Sequence, residues 1–120
     1  MGDIQMGVVE TRFADIIWTN EPISASELAK LSEITLKWKK TTSYTVLKRL
    51  CDKGIFKNEN GKVTSLISRE NFFSLQSQKF VDDTFEGSLP AFLAAFTSGK
   101  KLTEEEISCL RRMVAEYEGK

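Results

Sequence analysis

The sequence predicts a mostly α-helical fold of the α+β class. Apolar residues recur every three or four positions through most of the 120-residue chain, which is the spacing of helices with one buried face. Among the helical segments lies the dipeptide Asn60-Gly61, flanked by strand-forming residues, and Asn-Gly strongly favours a short β-hairpin. We therefore expect several helices and a small hairpin.

Two helices are predicted in the first third of the chain. The first spans about residues 9–19 and ends before Pro22. The second begins at Ser24, which can cap the helix while Glu27 reaches back to the cap amide, and it ends near Glu33. The residues expected on the inward face of the first helix are Val9, Phe13, Ile16 and Ile17.

A third helix is predicted after a polar connection, residues 34–40, which contains no glycine or proline. It runs from Thr41 to Lys53, and Gly54 is placed to end it in the left-handed conformation. Its outer face is polar and basic. The residues expected to point inward are Val46, Leu47 and Leu50, and Trp18 and Trp38 are interpreted as core and loop-anchoring residues.

A hairpin follows the third helix. Residues 55–58 and 63–67 have strand character and are joined by residues 59–62. Three helices followed by a hairpin is the order of the winged helix-turn-helix, whose third helix enters the major groove of DNA. We therefore predict a winged helix-turn-helix DNA-binding domain over residues 1–67, with a two- or three-stranded wing.

A C-terminal helical dimerisation arm is predicted over residues 68–120. Its helices are expected at about residues 69–86, 89–97 and 104–117, the last opened by a capping box that begins at Thr103. Six of the eight phenylalanines lie in this arm, and three short helices are too few to enclose them. A second subunit would cover them, so we predict a two-fold symmetric homodimer. The expected interface residues are Phe85, Leu89, Phe92, Phe96, Leu110, Val114 and Tyr117.

The charge of the chain is unevenly distributed. The formal net charge is zero, yet residues 37–62 hold eight basic and two acidic residues, whereas the arm holds seven basic and nine acidic ones. A local positive field can bind a polyanion even when the whole chain is neutral. This distribution places binding to double-stranded DNA in the first domain and not in the arm.

The exposed face of the third helix supplies the expected DNA contacts. Side chains of its first turns can reach base edges, and cations suit phosphates. The base-reading candidates are Thr42, Tyr44 and Thr45, beside Thr41. The phosphate contacts are assigned to Lys39, Lys40, Lys48 and Arg49, with Lys57 and Lys62 on the wing. A basic stretch alone can be a solvated surface; the order of the elements favours DNA.

The composition argues against an enzyme, a metal site and a membrane protein. The chain has no histidine, which excludes a histidine base and disfavours a zinc site. No apolar run approaches the roughly 20 residues that cross a bilayer, and no signal peptide is recognisable. We expect a cytoplasmic protein without cofactor or metal. Cys51 and Cys109 are both expected to be buried on helices.

Several stretches in both halves of the chain match one family of bacterial proteins. They are Ile16-Ile17-Trp18, residues 23–28, Trp38, residues 42–50, Lys53-Gly54, residues 80–89 and residues 102–107. On these residues the chain resembles the penicillinase repressor (BlaI/MecI/CopY) family of winged-helix transcriptional regulators. The resemblance implies a dimeric repressor of palindromic operators upstream of β-lactam-resistance or copper-homeostasis genes.

The resemblance also implies a mode of induction. In the β-lactam branch a membrane sensor protease triggers cleavage of the arm at an Asn-Phe bond. The matching position is Ala95-Phe96, which keeps the phenylalanine but not the asparagine. The copper branch has a cysteine-rich C-terminal motif that is not seen here, so copper sensing by that device is not expected.

Two more residues depart from the family pattern. Thr11 stands where the family often has tryptophan, and Ser43 stands where the third helix usually buries an aliphatic side chain; both should loosen the core. The alternative function is a winged-helix protein-interaction module that dimerises without binding DNA, because a fold alone does not decide function.

Overall fold

A computed structural model of the chain describes residues 6–119. These residues form six α-helices and a three-stranded antiparallel sheet, which confirms the predicted fold class. The helices are α1 (Val8–Asn20), α2 (Ala25–Leu36), α3 (Lys40–Asp52), α4 (Arg69–Phe85), α5 (Leu89–Gly99) and α6 (Glu104–Glu118). The strands are β1 (Ile23–Ser24), β2 (Phe56–Glu59) and β3 (Lys62–Ser65), in the order β1-β3-β2.

The wing is the β2–β3 hairpin. Asn60 and Gly61 both have positive φ, 55° and 84°, as a type I′ turn requires, so the predicted hairpin is confirmed. β1 was not predicted as a strand, because only two residues form it. It adds the third strand by pairing Ile23 with Val63.

The chain divides into two compact units, with the boundary between Ser77 and Gln78 inside α4. The sequence predicts that the DNA-binding domain ends at residue 67, and this boundary stays a prediction.

The core of the first unit lies where the helices meet the sheet. Its largest fully buried apolar side chains are Phe13, Ile17, Leu28, Leu50, Ile55, Phe56, Val63 and Phe72. Trp18 packs on Phe72 with ring centroids 5.6 Å apart, and its Nε1 donates to the Ile67 carbonyl at 3.0 Å. Trp38 stacks on Phe13 at 5.1 Å. Both tryptophans therefore hold core and loops together, as predicted.

α2 is longer than the sequence predicted. It continues to Leu36 and does not end near Glu33. Lys37 ends it by taking the left-handed conformation (φ 62°) and donating its N–H to the Ser32 carbonyl. Glycine or asparagine normally occupies such a position, so no residue pattern near Lys37 indicates this end of the helix. The connection to α3 is therefore residues 37–39 and not 34–40.

Some burial expectations were wrong. Val9 is 47% exposed, because it lies more than a quarter turn away from the centre of the buried face of α1, which is formed by Phe13, Ala14, Ile17 and Trp18. Cys109 is exposed on α6 and Cys51 is half-buried on α3. Phe72, counted with the arm, is fully buried in the first unit.

In the second unit, α5 and α6 bury none of their described residues. Phe80, Phe85 and Phe92 form an edge-to-face cluster with ring centroids 5.7–6.0 Å apart. The Thr103 hydroxyl accepts from the Glu106 N–H at 3.1 Å, and the Glu106 carboxylate accepts from the Thr103 N–H at 2.9 Å. This confirms the predicted capping box. Within residues 6–119 none of the helices has the length and apolarity needed to cross a lipid bilayer.

Candidate nucleic-acid interface

α3 buries one face and exposes the other. Ser43, Val46, Leu47 and Leu50 are buried at helical spacing. The side chains of the opposite face are all exposed, and they include every α3 residue assigned to DNA: Lys40, Thr41, Thr42, Tyr44, Thr45, Lys48 and Arg49. The structure therefore places these residues where a ligand could reach them.

The base-reading candidates occupy different parts of that face. At about 100° per residue, Thr45 lies near the middle, whereas Thr42 and Tyr44 lie on opposite flanks. The Thr45 hydroxyl donates to the Thr41 carbonyl at 2.8 Å. Its oxygen lone pairs can still accept a hydrogen bond, so in this geometry Thr45 suits a donor group such as a base amino group.

Lysines gather where α3 begins. Lys37, Lys39 and Lys40 line a concavity of about 500 Å³ together with Glu33 and Trp38. Lys37 was not among the expected contacts, although it begins the basic stretch. The left-handed cap that shortens the connection also places Lys37 in this group.

The wing brings its two lysines together. Lys57 of β2 and Lys62 of β3 line one concavity of about 400 Å³, with Glu59, Asn60 and Thr64. The two lysines expected to contact DNA from the wing therefore lie close together on neighbouring strands.

Three of the expected cations are paired with carboxylates of the chain. The pairs are Lys48 Nζ with Asp52 at 3.8 Å, Arg49 Nη1 with Glu10 at 3.7 Å and Lys57 Nζ with Glu59 at 3.0 Å. Asp52 and Glu59 are exposed, and exposed ion pairs are worth about 1 kcal/mol or less, so a phosphate can replace either carboxylate. Glu10 is more buried, with its side chain 24% exposed. The spacing of Lys48 and Asp52 along one helix was visible in the sequence. The Glu10 pair, between two helices, was not.

The buried face of α3 carries one polar side chain, Ser43, which is 2% exposed. Its hydroxyl oxygen is buried and has no hydrogen-bond partner within residues 6–119. Cys51 lies at the edge of this face. Burial, and then the negative charge of Asp52, raises the pKa of its thiol, which therefore stays protonated at neutral pH.

The residues assigned to the dimer interface lie at the surface of the second unit. Leu89, Phe96, Val114 and Tyr117 are exposed, Tyr117 by 78%, whereas Phe85, Phe92 and Leu110 are half-buried. An apolar concavity of about 420 Å³ runs along α6, and its apolar lining consists of Leu102, Ile107, Leu110, Val114 and Ala115. Such a face is suited to covering by another apolar surface.

The position that matches the family cleavage bond, Ala95-Phe96, lies inside α5. Ala95 and Phe96 are both exposed, and the Phe96 ring contacts Phe92 at 6.2 Å. The Ala95 carbonyl accepts a hydrogen bond from the Ser98 hydroxyl at 2.8 Å.

Two comparisons relate the chain to known proteins. A family model described as penicillinase repressor matches residues 6–116. A curated protein of Bacillus licheniformis named penicillinase repressor is 26% identical, over 97% of this chain and 94% of that protein. Both matches extend through the two compact units.

Proposed function

Because this chain belongs to the penicillinase repressor family, we propose that it is a dimeric transcriptional repressor that binds a palindromic DNA operator through α3 and the wing. The exposed polar and basic face of α3 is the observation that carries the proposal. The opposite face of α3 is buried in the core of the first unit, so the helix is anchored there while its outer side chains remain available.

The DNA-binding surface divides by chemistry. Thr42, Tyr44 and Thr45 read base edges, because hydroxyl groups can match the donors and acceptors of the major groove. The phosphates are bound by Lys39, Lys40, Lys48 and Arg49 on α3 and at its start, and by Lys57 and Lys62 on the wing. Thr41, in the first turn of α3, adds a hydroxyl for a phosphate oxygen.

The arm dimerises through its exposed apolar side chains. Phe96, Val114 and Tyr117 are exposed, and α5 and α6 contain no buried residue within the part of the chain that the structure describes. A second subunit would cover these apolar side chains. A two-fold partner covers the same surface on each subunit and sets the spacing of two half-sites.

The resemblance supplies the physiological setting. We propose that the controlled genes belong to the β-lactam-resistance or copper-homeostasis classes, and that cleavage at Ala95-Phe96 by a sensor protease would end repression. This bond is helical, so α5 must open locally before a protease can bind it.

The proposal is tested by selecting binding sites from a pool of randomised DNA duplexes. A selected palindrome should bind with nanomolar affinity, and its affinity should fall roughly a thousandfold or more between about 50 and 200 mM salt, because each neutralised phosphate releases counterions. The control duplex is a scrambled sequence of the same composition. Dimers that select no DNA sequence would contradict the proposal and would favour the protein-interaction module.

A further inference from the structure

One ion pair of the first unit joins the DNA-binding helix to another helix. Arg49 Nη1 of α3 lies 3.7 Å from Glu10 Oε2 of α1. The other paired cations of the interface, Lys48 and Lys57, find their carboxylates on their own helix or strand. A pair between two elements can hold the Arg49 side chain relative to the rest of the domain, whereas a pair within one helix or strand cannot.

Glu10 is more buried than a surface carboxylate usually is. Its side chain is 24% exposed, and its Oε2 is buried without a hydrogen-bond partner within residues 6–119. A buried carboxylate oxygen is costly unless an opposite charge faces it. The Arg49 guanidinium lies beside this oxygen, so the position of each charged group favours that of the other.

Arg49 keeps donors available beyond this pair. Its side chain is 53% exposed, and a guanidinium has five N–H donors; at 3.7 Å the contact with Glu10 is an ion pair and not a hydrogen bond, so it occupies none of these donors. Arg49 follows Thr42 by seven residues, which is two helical turns, so both lie on the same flank of the exposed face. A phosphate on that flank would meet a guanidinium that already faces the Glu10 carboxylate.

We propose that Glu10 is a positioning residue that orients Arg49 toward a DNA phosphate. This inference rests on the proposed function and adds a residue of α1 to the binding machinery. Glu10 itself does not contact DNA. Its negative charge would weaken DNA binding by simple electrostatics, so a favourable contribution from Glu10 has to act through Arg49.

The test is a double-mutant cycle with Glu10→Gln and Arg49→Ala, measured by fluorescence anisotropy on duplexes of about 30 base pairs from a random-sequence pool. Glutamine keeps the size of Glu10 but removes its charge and replaces one acceptor oxygen with an NH2 donor. With Arg49 present, Glu10→Gln should weaken binding about two- to fivefold. In the Arg49→Ala background the same change should leave binding unchanged or strengthen it slightly.

The salt dependence gives a second readout that a purely structural role would not move. Glu10→Gln should lower the slope of log affinity against log salt toward the value for Arg49→Ala, since one phosphate contact is weakened. Asp52→Asn is the matched control, because it removes the acidic partner of Lys48 within α3. Its effect on DNA affinity should be the same with and without Arg49. Circular dichroism checks that each variant is folded.

The outcomes separate the two proposals. Equal effects of Glu10→Gln in both backgrounds, or stronger binding only when Arg49 is present, overturn the positioning role while leaving DNA binding intact. Absent or salt-insensitive binding by the wild-type protein overturns the proposed function and the role of Glu10 together.

Discussion

Replacing Ser43 with alanine should make the protein more stable. Ser43 is 2% exposed on the buried face of α3, and its hydroxyl finds no hydrogen-bond partner within residues 6–119. A buried polar group left unbonded costs about 1–3 kcal/mol, and alanine favours a helix over serine by about 0.5 kcal/mol. Because removing Oγ also removes some packing, we expect the free energy of unfolding to rise by about 1–2 kcal/mol.

Ser32 provides a matched control. It is fully buried on α2, but its hydroxyl donates to the Leu28 carbonyl at 2.8 Å. Ser32→Ala gains the same helix propensity and loses a hydrogen bond worth about 1 kcal/mol, so its net effect should lie between zero and a loss of about 1 kcal/mol. The difference in free energy of unfolding between the two variants therefore measures the cost of leaving the Ser43 hydroxyl without a hydrogen bond.

Thermal unfolding followed by circular dichroism, at one protein concentration because dimers unfold in a concentration-dependent way, measures both variants. Ser43→Ala should raise Tm by roughly 3–12 °C, because 1 kcal/mol corresponds to about 3–6 °C for a chain of this size. A Ser43→Ala protein less stable than the wild type, or no more stabilised than Ser32→Ala, would refute the reasoning. DNA binding should be unchanged in either variant, since neither side chain is exposed.

Other substitutions test the proposed surfaces. Lys48→Ala should weaken binding to all duplexes alike and reduce the slope of log affinity against log salt by about 1 per subunit. Thr45→Ala should alter discrimination at one base pair by about 1–3 kcal/mol. Equal losses of affinity for selected and scrambled duplexes would contradict the base-reading role of Thr45. Val114→Glu should convert a dimer to monomers in sedimentation experiments at micromolar concentration, unlike Arg112→Ala on the other side of α6. Lys37→Gly should relieve left-handed strain and raise the free energy of unfolding by about 0.5–1 kcal/mol while weakening DNA binding; lower stability would show that Lys37 is not strained.

The sequence predicted the elements whose chemistry is local. The Asn60-Gly61 turn requires two positive φ angles, and the polar face of α3 follows from residue spacing alone, so both were predictable. The Thr103 capping box was equally local. Each of these features depends on residues no more than a few positions apart.

Features that depend on tertiary structure were missed. The pair of Glu10 and Arg49 joins two helices far apart in sequence, and no local pattern indicates it. The end of α2 was missed because Lys37 adopts a conformation usually left to glycine. Cys109 was expected to be buried because apolar spacing shows which residues share a helix face, but not whether another element of the same chain covers that face.

The position of Phe72 decides how this protein can be cut. A fragment that ended at residue 67 would lose a fully buried phenylalanine, and truncation of such a side chain costs about 3–5 kcal/mol out of the roughly 5–15 kcal/mol that hold a domain folded. A fragment that continues to Ser77 retains it. By the same reasoning, a break at Ala95-Phe96 leaves the core of the first unit complete and separates α6 from it. If the proposed function holds, the product would be a folded DNA-binding unit that has lost much of its proposed dimer interface.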